Sequence, residues 1–345
     1  MRISIAWLPP LVLLVPGCAS SDVLGTLGSV DRRDPALDRL VPHGAEYEVL
    51  ARGFDWSEGP VWVGGEDGYL LFSDIPPNRV WKWEPGRGAS VYLDRSGYLD
   101  PIPRPGYVAP DEPGSNGLLL DAEGRLVLCQ HGLRQVSRMT APLGAPAPEF
   151  EPVATRWDGK RFNSPNDAVF HSSGDLYFTD PPYGLAGKME DPEKEIDFQG
   201  VYRVTPGGDV TLLTREMSRP NGIAFSPDER TLYVANSDPE RAVWMAFPVL
   251  QDGTLGEGRV LFDATHLVPD LPGLPDGLAV DVEGHLFATG PGGVLVLSPD
   301  GQFLGTILTG RPTSNCTFGG DGRTLYVTAD ESLLRVRLST TGLRR

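Results

Sequence analysis

Six times this chain spells the same short sentence, and the spacing of the copies leaves it few folds. Residues 166–180, NDAVFHSSGDLYFTD, contain a short polar residue, an apolar strand, a turn rich in Gly and Asp, and a second apolar strand ending in a polar residue. The other copies are 58–74 (EGPVWVGGEDGYLLFSD), 116–130 (NGLLLDAEGRLVLCQ), 221–236 (NGIAFSPDERTLYVAN), 276–290 (DGLAVDVEGHLFATG) and 315–329 (NCTFGGDGRTLYVTA). Their first residues stand 58, 50, 55, 55 and 39 positions apart. A repeat of that length made of short strands and turns specifies an all-β chain, a six-bladed β-propeller. With 42 Gly and 33 Pro, and no long stretch keeping a 3.6-residue apolar period, helices are disfavoured.

Each blade resolves into four strands. The first is expected at 60–63, 69–73, 79–83 and 90–93, and the third at 168–170, 175–179, 200–204 and 209–213. Strands at 46–52 and 333–338 are left over at the two ends and together complete a blade, closing the ring and removing its exposed edges. Residues 46–339 are therefore read as one propeller with no second domain.

Antiparallel order puts the starts of the inner strands on the same face as the loops that follow the second and outer strands. Those loops are the long ones, 95–115, 181–199 and 263–275, whereas 172–174, 226–229 and 282–284 are tight turns on the opposite face. Long loops over one mouth imply a pocket with a lid.

The first residues of the six copies converge on that mouth: Glu58, Asn116, Asn166, Asn221, Asp276 and Asn315. All carry a carbonyl or carboxylate oxygen. Two carboxylates among neutral amides suit a hard divalent cation such as calcium, which takes 6–8 oxygens at about 2.3–2.6 Å. No His or Cys recurs in this register, against zinc. The other reading is that Asn and Asp merely begin these strands as turn residues.

Near the same mouth lie His131, Asp180, Tyr183, Asn236 and Ser237. His131 is placed either as a general base or as a loop histidine bonded to backbone. Asp180, before two prolines, either touches substrate or fixes its loop; Tyr183 either lines the pocket or caps its blade. Asn116 and Asn166 join them as substrate contacts.

The ends of the chain carry different information. Arg2, an apolar run over 3–15 and Gly17-Cys18 read as a signal segment, 1–18, with Cys18 as a lipidation site tethering the protein to the periplasmic face of a membrane. Ala19 points to the outer membrane; plain secretion is the alternative. Residues 19–45 are polar and read as a linker, with a helical turn or two over 34–40. The net charge of −16 argues against a nucleic-acid partner. Cys129 and Cys316 sit on blades that are not neighbours, so both are expected free and buried. No Gly-x-Ser-x-Gly elbow, phosphate-cradling loop or Cys-x-x-Cys pair competes.

The segments EGPVW, LLFSDIPPNRVWKW, GKRFNSPNDAVFHSSGDLYFTDPPYG, DFQGVYRV, RPNGIAFSPDERTLYVANSD and LPDGLAVDVEGHLFATG resemble the senescence marker protein/gluconolactonase/luciferin-regenerating family, over about 54–327. PND with TDPPYG resembles its bacterial gluconolactonase-like branch. The resemblance implies a six-bladed propeller that binds one divalent cation, commonly calcium, and hydrolyses lactones. It implies Glu58, Asn221 and Asp276 as metal ligands, with Asn166 as a further ligand or substrate contact. Relatives acting on sugar lactones can carry an arginine two residues before Asn166, where this chain has Ser164. The implied chemistry is metal-assisted attack of water on a lactone carbonyl, with Asp276 ahead of Glu58, or else His131, as proton acceptor. Two alternatives stay open: phosphotriester or aryl-ester hydrolysis at the same site, and a non-enzymatic binding propeller in which calcium ties the blades together.

Overall fold

The computed structural model describes residues 23–99 and 111–343. The signal segment with Cys18 and the middle of the 95–115 loop lie outside the described residues.

Six antiparallel sheets follow one another around a central channel. The first blade is Ser57–Val63, Tyr69–Asp74, Arg79–Glu84 and Gly88–Asp94, and the third is Ala168–Phe170, Leu176–Asp180, Gly200–Val204 and Val210–Thr214. Alternating burial builds the blades: one side of each strand packs toward the blade before and the other toward the blade after. Phe162, Phe178 and Tyr202, for example, pack at 5.1–5.5 Å between centroids in the contact of blades two and three, Phe162 edge-on to the other two rings and these stacked on each other. Cys129 and Cys316 are free and buried.

The ring closes as the leftover strands require. Tyr47–Arg52 pairs antiparallel with Ser332–Arg337, so the sixth blade takes its outer strand from the start of the chain and its other three from the end. The linker reading of 19–45 is corrected in its described part. Ser29–Arg32 adds a fifth strand to the edge of blade five, and Thr26–Leu27 one to blade six. Between the two edges, a 3-10 turn at Pro35–Arg39 is capped by Asp34, whose Oδ1 accepts from the Ala36 amide at 2.8 Å. Leu37, Leu40 and Val41 are buried in the core shared by these blades. Polar composition hid three apolar anchors, each contributing about 1.5–3 kcal/mol on burial.

Candidate functional site

Where each inner strand begins, local geometry turns its first residue toward the axis. In three blades the ladder slips there: bulges fall between Glu58 and Val61, Ser115 and Leu118, and Pro220 and Ile223. A bulge re-aims a side chain without ending the pairing. Asn166 and Asp276 reach the same place just ahead of their strands, through matched bonds to Thr179 and Thr289. Four of the six are followed by glycine, and the need is steric. A Cβ on Gly59 would come within 2.0 Å of the Asn116 carbonyl, and one on Gly222 within 2.2 Å of the Asp276 carbonyl. Glycine is what lets neighbouring blades bring their oxygens together.

Five of the six expected residues, Glu58, Asn116, Asn166, Asn221 and Asp276, line one cavity of about 550 Å³. Asn315 does not. Its Oδ1 accepts from the Cys316 amide at 2.8 Å, and its side chain lies close enough to Glu58 and Asp167 to favour the charged form of both carboxyls. It therefore supports Glu58 from below and lines a second cavity deeper in the channel.

The floor of the first cavity is short of positive charge. The Oδ1 atoms of Asn116, Asn166 and Asp276 are buried with no hydrogen-bond partner in the structure. Burial pushes the Glu58 carboxyl up to about 8, against a backbone bond from Gly59. Asp276 is pushed well above the usual carboxylate range, by burial and then by Glu58. Orphaned buried oxygens cost about 1–3 kcal/mol each, and two buried carboxylates repel. A cation bound among them would cancel both costs. Among the described residues no three His, Cys, Asp or Glu side chains gather as metal ligands; the donors that do gather are two carboxylates and neutral amides, an all-oxygen set that fits a hard cation.

Two expected site residues lie elsewhere. His131 is fully buried behind the wall, packed on Gly184, with its Nδ1 3.8 Å from a Glu112 carboxylate oxygen and no hydrogen bond to either ring nitrogen. Burial, with Lys188 acting the same way, pulls its pKa down to about 3, so it stays neutral and out of reach of the cavity. Asp180 is also fully buried, its oxygens accepting the Asn163 and Ser164 amides at 2.8 Å. It fixes the loop before Asn166 and touches no part of the cavity. Tyr183 does line it, as does Ser237.

Asp180 exposes a rule of the repeat. The polar residue ending the second strand clamps the backbone just ahead of the inner strand: Asp74 accepts from Asp55 and Trp56, and Asn236 from Arg219. Residues two places before the ring residues are thereby held over it. Four of these, Trp56, Arg219, Leu274 and Thr313, form part of the cavity wall. Ser164 does not; its hydroxyl is bonded to Pro181 and Gly184. Glu112 is the other residue missed. It lines the cavity, bonded to Lys188 Nζ at 3.3 Å, and burial raises its pKa against that ammonium. The offset of two was open to reading from the aligned copies; Glu112, four places before Asn116, has no counterpart in the repeat.

Comparison with known proteins gives the family and the fold. Residues 56–331 match the family described as SMP-30/gluconolactonase/LRE-like region. A gluconolactonase of Zymomonas mobilis is 41% identical over 323 residues, covering 92% of this chain and 88% of that protein. The structure of a gluconolactonase from Xanthomonas campestris superposes with a TM-score of 0.75 at 32% identity, over 92% of this chain and 98% of that one. A calcium-binding regucalcin from Agrobacterium tumefaciens superposes with a TM-score of 0.64 at 20% identity, over 86% and 94% of the two chains, a likeness of fold.

Proposed function

The chain belongs to the SMP-30/gluconolactonase/LRE-like family, and we propose that it hydrolyses lactones with the help of one divalent cation, calcium being the ion its oxygen donors suit best. The observation that carries this reading is the cavity floor, where three orphaned oxygens and two buried carboxylates converge beneath an open pocket. Both gluconolactonase relatives support the substrate class.

Glu58, Asn166, Asn221 and Asp276 would hold the ion. When bound, it supplies Lewis-acid polarisation of a carbonyl and charge to match an oxyanion. Glu112 is the proton acceptor for the attacking water. It stands outside the ring, so its lone pairs are not committed to a ligand role; burial raises its basicity, and Lys188 fixes its direction. Asp276, with its charge shared, is the weaker base of the two. Asn116 and Tyr183 present polar atoms to the substrate, while Ile75, Val268, Leu271 and Leu274 cover its carbon face and exclude water.

The test is acid release from glucono-1,5-lactone and δ-valerolactone by the protein from Ala19 onward, first with a chelator and then with calcium added. Chelator-sensitive hydrolysis restored by calcium supports the reading; no hydrolysis by calcium-loaded protein overturns it. The apolar wall favours one second reading, aryl-ester or phosphotriester hydrolysis, which phenyl acetate and a diethyl aryl phosphate would reveal in the same assay. From residues 1–18 we further propose that the protein is exported and held at a membrane by Cys18. Fatty-acid labelling that persists in Cys18→Ser rules out that anchor.

A further inference from the structure

The wall above the floor contains one guanidinium, and among the described residues no hydrogen bond or close ion pair holds its side chain, although Asp238 and Tyr183 lie near enough to feel its charge. Arg219 is half-buried, lines the cavity, and makes no side-chain hydrogen bond or ion pair among the described residues. This is unusual for its setting. The chain carries 46 acidic and 30 basic residues, so carboxylates for pairing are abundant. Nearby Arg241 reaches the Glu216 carbonyl, and Arg311 reaches Glu331 at 3.6 Å. Arg219 is instead fixed by its backbone: its amide donates to Asn236 Oδ1 at 2.9 Å, and its carbonyl accepts from Ser237. The clamp aims the side chain without neutralising it.

Its place follows from the backbone. Arg219 stands in the bend just ahead of the strand Pro220–Phe225, two residues before Asn221, in the storey of wall residues held over the ring. From there the guanidinium faces the part of a bound lactone remote from the reacting carbonyl. The other three residues of this storey in the wall, Trp56, Leu274 and Thr313, carry no charge.

We propose that Arg219 is the specificity-determining residue of this pocket and that it selects lactones with an anionic group, a carboxylate or a phosphate, on the side remote from the carbonyl. A guanidinium presents a planar fork that matches either anion bidentately, and in a pocket floored by carboxylates only a charge placed at this height escapes repulsion. Arg219 takes no part in bond making. It binds the distal end and so orients the carbonyl over the floor. The proposal rests on the lactonase reading given above.

The experiment compares kcat/KM of wild type, Arg219→Met and Arg219→Lys on δ-valerolactone, glucono-1,5-lactone, its 6-phosphate, and glucaro-1,4-lactone. Wild type is expected to prefer the charged lactones. Arg219→Met should lose about 10- to 100-fold on them, as expected for a charge-assisted bidentate contact, with little change on δ-valerolactone. Arg219→Lys should recover part of the loss, more on the phosphate than on the carboxylate, because a point charge suits phosphate better. Equal losses on all four substrates, or no wild-type preference for charge, overturn the proposal; the 6-phosphate and glucaro-lactone arms tell phosphate from carboxylate. Calorimetric binding of 6-phosphogluconate and gluconate separates the two levels of inference. Binding that favours the phosphate and depends on Arg219, in a protein that opens no lactone, refutes the lactonase reading and leaves this one standing.

Discussion

The two ends of the central channel are built from the same six strands and have opposite characters. The upper end is a cavity of about 550 Å³ whose floor carries three buried oxygens without partners. The lower is about 180 Å³, lined by side chains such as Val61, Leu118, Ile223 and Phe318, and Leu343 of the carboxyl-terminal tail adds to its wall. Its buried carboxylate is engaged at both oxygens: Asp167 accepts from the Ala168 amide at one and from the Ile223 amide at the other. Unsatisfied polar groups cost stability and are kept where a ligand repays them. Satisfied ones hold the ring together. With the cation proposed above on that floor, chemistry belongs to the upper end and cohesion to the lower.

Substitutions can break that division. Asp276→Ala, at the upper end, should lower kcat/KM by about 10³ or more; a chelator is expected to lower the melting temperature of the wild type and to leave that of the variant unchanged. Retained turnover in this variant would sink the assignment of the floor. Glu112→Gln should cost about 10²–10³ in kcat while calorimetry finds calcium affinity preserved; if affinity falls in step with rate, Glu112 is a ligand and not the base. At the lower end, Phe318→Ala should cost about 3 kcal/mol of stability by denaturant titration and leave kcat unchanged. A rate defect there would mean that the two ends are coupled.

The mildest effect overall is expected from His131→Leu, which should keep turnover within a small factor of wild type. Its signature is in pH. The His131 pKa lies at about 3 in the fold against an ordinary 6.5, so between those values the unfolded chain binds the extra proton. That contribution to stability is present above about pH 6.5 and is lost as pH falls toward 3. Melting temperatures from pH 7 to pH 4 should drop less in the variant than in wild type; equal drops would show that His131 is already charged in the fold.

The number of blades, the closing of the ring by 46–52 with 333–338, and the face that bears the site were all open to reading, because each depends on periodicity and chain order. Five of six ring residues were too. Asn315 failed for a local reason: its carbonyl is taken by the next amide, which only coordinates reveal. His131, one residue past its strand, and Asp180, the last of its strand, are buried behind the wall, and a position at a strand's end does not announce its side. Arg219 and Trp56 were hidden behind the more obvious first residues, although the same alignment contains them.

The seam of the ring has a consequence in time. The strand Tyr47–Arg52 leaves the ribosome early and its partner Ser332–Arg337 near the end of synthesis, while Ser29–Arg32 waits for Phe303–Leu308. Until those late strands arrive, Ser29–Arg32 lacks its partner and Tyr47–Arg52 has only the two-residue strand Thr26–Leu27 to pair with. Contacts across nearly 300 residues also close slowly, since loop entropy must be overcome before any pairing rewards it. The chain is thus built to remain open while it is being made and to lock as one unit when its last blade is complete.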